Sequence, residues 1–119
     1  MEIKVEVKKG RFLLTVDGDL DMYNTPGLKD SFNEILGKQP AGVLLNLAGV
    51  GYLDSSGVGI LLYMQNTITK QQLPFCITGV REQPAKVLEL TKLTNYFPFA
   101  DNVSAGFTKL IKKIPRNTN

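Results

Sequence analysis

Two short polar stretches hold the side chains that could do chemistry. Asp54, Ser55 and Ser56, closed by Gly57, supply a carboxylate and two hydroxyls. Gly18-Asp19-Leu20-Asp21 supplies two more carboxylates. A hydroxyl and an acid together suggest a nucleophile, a phosphoryl acceptor or a cation ligand, and each demands further residues. A serine nucleophile needs a base, usually histidine, and this chain has no histidine. It also lacks a Gly-x-Ser-x-Gly elbow, and the stretch from Gln39 to Thr69 holds no lysine to replace the imidazole. No Gly-Lys-Ser/Thr ending forms a phosphate-cradling loop. Gly57-Val58-Gly59 starts a dinucleotide-type turn, but Leu62 stands where its third glycine belongs, and no acid follows the later strand.

A phospho-accepting receiver fits better in length and alternation. Asp54 would be its acceptor, and Asp19 and Asp21 its metal-binding pair, although Asp54 lies several residues beyond its strand. Taken alone, Asp-Ser-Ser-Gly is a helix cap, because Asp and Ser oxygens satisfy first-turn amides, and isolated aspartates form turns.

These residues need elements to position them. Val43 to Leu47 is a continuous apolar run of buried-strand length. After Gly57, apolar spacing runs helically to Ile68, covering most of the circumference and leaving a polar strip of Gly59, Asn66 and Lys70. So apolar a helix is buried on both sides or meets a partner. Asp54 to Ser56 therefore stand at the N-terminus of a central helix.

Upstream, Ile3, Val5 and Val7 alternate with charged neighbours, as do Phe12, Leu14 and Val16. Lys9-Gly10 between the two runs predicts a hairpin. Thr25-Pro26 predicts a helix with Thr25 as cap and Pro26 first inside, an apolar stripe of Leu28, Phe32, Ile35 and Leu36, and closure at Gly37. Downstream come a strand over Leu73 to Thr78 and a helix over Pro84 to Thr91, with Val87, Leu88 and Leu90 apolar. A brief strand over Tyr96 to Phe99 follows, then a last helix with Val103, Phe107, Leu110, Ile111 and Ile114 inward. The order ββαβαβαβα implies a mostly parallel mixed α/β sheet with an N-terminal hairpin and helices packed on it. Sites in such sheets collect at the strands' carboxyl ends. If the second and third strands are neighbours, Asp19, Asp21, Asp54 and both serines share that edge.

Composition bounds the rest. The 119 residues suit one domain, and 43% hydrophobic with 21% charged is ordinary for a globular chain. A single cysteine, Cys76, excludes a disulfide framework and points to a reducing compartment. No apolar run reaches the roughly 18 residues of a membrane span, and the alternating N-terminus is not a signal peptide. A cytoplasmic protein is expected. The net charge of +3 is concentrated in Lys109, Lys112, Lys113 and Arg116; taking those four from 14 basic residues leaves 10 against 11 acidic. The body of the domain is therefore no nucleic-acid surface.

Gly18-Asp19-Leu20-Asp21, Asn46-Leu47 and Tyr52-Leu53-Asp54-Ser55-Ser56-Gly57-Val58-Gly59 together resemble the STAS domain of bacterial anti-sigma factor antagonists. Val87-Leu88-Glu89-Leu90-Thr91 and Phe97-x-Phe99 match the same pattern, and the resemblance runs from about Ile3 to Ile111. It implies a STAS domain over 1–114, with 115–119 as a polar tail. It also implies a non-enzymatic switch that uses no cofactor or metal. Unphosphorylated, such a protein binds an anti-sigma factor that is also a serine kinase, and a PP2C-type phosphatase reverses the modification. The acceptor would be Ser55, and the partner-binding set Asp19, Asp21, Tyr23, Asn24, Asp54, Ser55, Ser56, Gly57, Val58 and Ile60. A phosphate there adds about −1.5 to −2 charge, which free first-turn amides and the helix dipole would tolerate. The same fold also serves as a constitutive adaptor in transporters or multi-STAS assemblies. Where the family often has glycine after the third helix, this chain has Lys92, which costs about 1 kcal/mol if that position is left-handed.

Overall fold

The computed structural model describes residues 1–111. The Lys112 to Ile114 part of the expected domain, with inward Ile114, and the tail over 115–119 lie outside them. The hairpin forms as its alternation predicts: β1 (Glu2–Lys8) pairs antiparallel with β2 (Arg11–Asp17). Lys9 and Gly10 turn at φ of 52° and 79°, the doubly positive geometry of a tight hairpin loop. Then follow α1 (Thr25–Leu36), β3 (Gly42–Gly49), α2 (Ser55–Lys70), β4 (Phe75–Thr78), α3 (Glu82–Leu90), β5 (Phe99–Ala100) and α4 (Val103–Ile111). The sheet order is β1-β2-β3-β4-β5, with every pair after the hairpin parallel. The expected ββαβαβαβα architecture holds, and β2 and β3 are neighbours.

Alternation along each strand assigns its two faces. Phe12, Leu14 and Val16 of β2 join Val43, Leu45 and Leu47 of β3 in the larger core, with Leu28 and Phe32 of α1, Leu61 and Met64 of α2, and Leu88 of α3. Leu13, Leu44 and Cys76 face the other way and meet Leu110 of α4 in a smaller cluster. The nearly apolar α2 is buried from both sides. Tyr63 meets Phe32 of α1 edge to face, ring centres 6.0 Å apart, while Asn66 accepts a 2.7 Å hydrogen bond from Tyr96.

Several boundaries differ from the expected ones, each for a local reason. Thr25 is not the cap of α1; it is the first helical residue, after Asn24. Asp21 organises that entry instead, its Oδ1 accepting from the amides of Tyr23 and Asn24 at 3.0 Å each. Gly37 follows α1 in ordinary right-handed geometry, and the left-handed residue is Gln39 at φ 55°. The third helix starts two residues earlier than Pro84, and of its apolar residues Leu88 is buried while Leu90 is 78% exposed. Ile111 is likewise exposed. The last strand is displaced to Phe99–Ala100, since Pro98 precedes it and Tyr96 lies in a turn. Lys92 is left-handed, at φ 61°. Its amide bonds Glu89 O and that of Leu93 bonds Leu88 O, the double closure that favours glycine at this position.

Candidate functional site

The β2–β3 pairing does not stop where the strands end; it continues into both exit loops. Between Thr15 and Asp17 the register shifts by one residue of β3. This is possible because Gly49 has no side chain: a Cβ there would stand 2.8 Å from Val16 O. Beyond the shift, Gly18 N donates to Gly49 O (3.0 Å), Leu20 N to Tyr52 O (2.9 Å), and Asp54 N to Leu20 O (3.2 Å). Leu20 and Leu53 form an isolated bridge and are both buried. Asp21 and Asp54, 33 positions apart in sequence, are thereby held on adjacent strand extensions.

Asp54 caps α2. Its backbone is extended (φ −111°), and Oδ1 accepts from Ser56 N at 2.8 Å and Gly57 N at 3.1 Å. Ser55 is the first helical residue and is exposed; Ser56 and Val58 are half-buried. Two of the first-turn amides, those of Ser56 and Gly57, are thus already occupied by the Asp54 carboxylate. A phosphate on Ser55 would meet a neighbouring negative charge beside the positive end of the helix dipole. Gly57 is buried against Leu20 and Leu53, where a Cβ would overlap Leu53 Cδ1 and lie 2.6 Å from Leu20 O.

The expected partner-binding residues separate accordingly. Asp19, Tyr23 and Ser55 are exposed, and Asp21, Asn24, Asp54, Ser56 and Val58 are partly so. Asn24 braces the loop, its Nδ2 donating to Asp19 O at 2.9 Å. Ile60 differs from these in its burial: it is 6% exposed and packs in the main core. Gly57 offers no reachable side chain and acts through close packing. The receiver alternative is also not carried by this geometry, since the sheet begins with an antiparallel edge strand and Asp54 is committed to capping. No three Asp, Glu, His or Cys residues among those described are grouped to hold a metal ion.

Three site residues escape sequence reasoning. Met22 (63% exposed) and Tyr52 (45%) stand out from the same two loops as Asp21 and Asp54, next to Tyr23 at 83%. Large apolar side chains in loops that leave adjacent strands were the available signal. Gln83 of α3 gave none: its Oε1 accepts from Leu53 N (2.9 Å) and its Nε2 donates to Leu53 O (3.2 Å). The edge is therefore a hydrogen-bonded pair of loops that carries exposed Ser55, the carboxylates of Asp19, Asp21 and Asp54, and exposed Met22, Tyr23 and Tyr52.

The STAS domain family model matches residues 2–106. The chain belongs to the STAS domain family. It is similar to an anti-sigma F factor antagonist of Paenibacillus polymyxa, 23% identical over 111 residues that span 92% of this chain and 95% of that one. Its fold is similar to a solved anti-sigma factor antagonist from Mycobacterium paratuberculosis, with TM-score 0.84, 22% identity and coverage of 93% and 94% of the two chains. A further STAS neighbour is SpoIIAA, the Bacillus cell fate determinant, solved in its phosphorylated form; it has TM-score 0.68 and 17% identity, covering 87% of this chain and 96% of that one. These three similar proteins carry the name anti-sigma factor antagonist. No helix among its described residues is long and apolar enough to cross a membrane.

Proposed function

We propose that this STAS domain is a phosphorylation-controlled anti-sigma factor antagonist, non-enzymatic and acting in the cytoplasm. Its unmodified form binds an anti-sigma factor that is also a serine kinase. That kinase phosphorylates Ser55, and a PP2C-type phosphatase restores the binding form. The observation that carries the reading is Ser55 itself, exposed at the first helical position next to the capping Asp54, with Met22, Tyr23 and Tyr52 exposed on the two loops that meet at this edge. The phosphorylated state of the structural neighbour SpoIIAA supports it.

The switch needs no refolding. An added phosphate beside Asp54 changes the potential that a partner meets, and its oxygens find the Ser56 and Gly57 amides already bonded to Asp54. Each 1.4 kcal/mol of lost complementarity is tenfold in affinity, so two units of negative charge at a docking surface suffice to release a transient partner.

The test is binding of the cognate anti-sigma kinase to three forms of the chain. The unmodified chain and Ser55→Ala bind alike, and only the former takes up phosphate; Ser55→Asp binds at least about tenfold more weakly. Equal binding by all three, or equal labelling of Ser55→Ala, would overturn the proposal.

A further inference from the structure

The first strand is an open edge with a self-complementary charge pattern. Apart from half-buried Ile3, every residue of β1 is exposed, including Val5 at 44% and Val7 at 58%. Among the described residues its only sheet neighbour is β2. Long, open, partly apolar edges invite a further strand, and natural proteins usually block them. Here Glu2–Lys8 contain no proline or bulge, and the one blocking device is the charge of Glu2, Lys4, Glu6 and Lys8, which repels a strand only where like signs meet.

The backbone of β1 decides which groups are free. A two-residue turn at Lys9-Gly10 is closed by the hydrogen-bonded pair Lys8–Arg11, and such pairs alternate along an antiparallel ladder. Glu2, Lys4, Glu6 and Lys8 therefore turn their amides and carbonyls towards β2. Ile3, Val5 and Val7 turn theirs to the open edge.

We propose that this edge pairs with a second copy of the chain, β1 against β1 in antiparallel, about a two-fold axis at Val5. In that register Val5 faces Val5 and Ile3 faces Val7 of the other copy, so each free backbone group finds a hydrogen-bonding counterpart. Lys4 then faces Glu6 and Glu2 faces Lys8, in the non-hydrogen-bonded pairs whose side chains stand closest. The register is selective. An axis at Lys4 or at Glu6 sets like charges opposite one another, and a one-residue slip sets free backbone groups against groups already used. A two-fold interface requires self-complementarity of this kind. On the other face, Ile3, Val5 and Val7 of the two copies form a single apolar stripe beside the main core.

The pairing joins two five-stranded sheets into one of ten strands. Because the copies run antiparallel, their carboxyl edges point in opposite directions. Ser55 stays open in each copy, so the inference is independent of what phosphorylates it.

Sedimentation of the full chain over a concentration series tests the pairing, with circular dichroism to confirm that each variant is folded. Wild type should form a dimer, while Lys4→Glu and Glu6→Lys, each creating like-charge pairs, should remain monomeric under the same conditions. The double variant Lys4→Glu/Glu6→Lys restores opposite pairing and should dimerise again. An equimolar mixture of the two single variants should form heterodimers. A wild type that stays monomeric up to millimolar concentration overturns the proposal. So does dimerisation that the single variants leave unchanged, which would place the interface elsewhere. A Val5 amide protected from exchange only after an anti-sigma partner is added would assign the edge to that partner and overturn it too.

Discussion

Gln83 holds Leu53 by both of its backbone groups, accepting from its N–H at 2.9 Å and donating to its C=O at 3.2 Å. Leu53 is 1% exposed, lies next to Asp54, and among the described residues has a strand partner, Leu20, on one side only. One amide side chain from α3 thus stands in for a missing strand, and it ties the third helix to the loop that presents Ser55.

Replacing Gln83 by Met keeps the length and removes both bonds. Leu53 would be left with buried polar groups unpaired, at a cost of about 1–3 kcal/mol. Urea unfolding should show that loss, and amide exchange at Leu53 and Asp54 should accelerate beyond what the global destabilisation explains. Unchanged stability would mean that water replaces Gln83 without penalty.

Asp54 closes the first turn of α2 through two amides. Asp54→Ala should therefore lower stability by about 1 kcal/mol, within the range of lost N-caps, while Asp54→Asn keeps an accepting oxygen and should cost much less. Thermal unfolding of the two variants side by side reads the difference.

The two glycines of α2 should respond oppositely to one added methyl. At Gly57 it collides with Leu53 and Leu20, so Gly57→Ala should destabilise by about 1–3 kcal/mol, as overpacking does. At Gly59 nothing lies within 4 Å, so Gly59→Ala should stabilise by about 0.5–1 kcal/mol through helix propensity. Chemical denaturation of both variants measures sign and size together.

Burial pushes the Cys76 thiol above its ordinary value of 9.0; Lys109 and a contact with the Ile77 carbonyl pull weakly the other way. A raised folded value means that the unfolded chain ionises first. This contribution to stability is fully present below pH 9.0 and declines as pH rises from there towards the folded value. Under reducing conditions, Cys76→Ala should lack this alkaline decline. Parallel stability–pH curves for the two proteins would contradict the assignment.

Much of this architecture was legible because long apolar runs report burial directly. Val43 to Leu47 reads as a buried strand, and the Asp-Ser-Ser-Gly junction as the start of a helix, from local chemistry alone. The errors fall where tertiary contacts overrule local signals. Thr25-Pro26 looks like a cap and first turn, yet Asp21 reaches forward and moves that role into the preceding loop. Leu90 sits in an apolar run but falls on the outer side of a nine-residue helix. Ile60 follows Ser55 closely in sequence, while helical periodicity turns its side chain into the core. Gln83 was invisible, because a side chain 30 positions from its partner leaves no pattern in sequence.

The central claim is that Ser55 carries the switch, and mapping phosphate on the protein isolated from its native cells tests it most directly. Intact-mass spectrometry with site assignment should show a single phosphate, on Ser55, whose occupancy changes with growth condition, and none on a chromosomal Ser55→Ala variant. Phosphate on another residue, or an unmodified chain in every growth condition, would contradict the account.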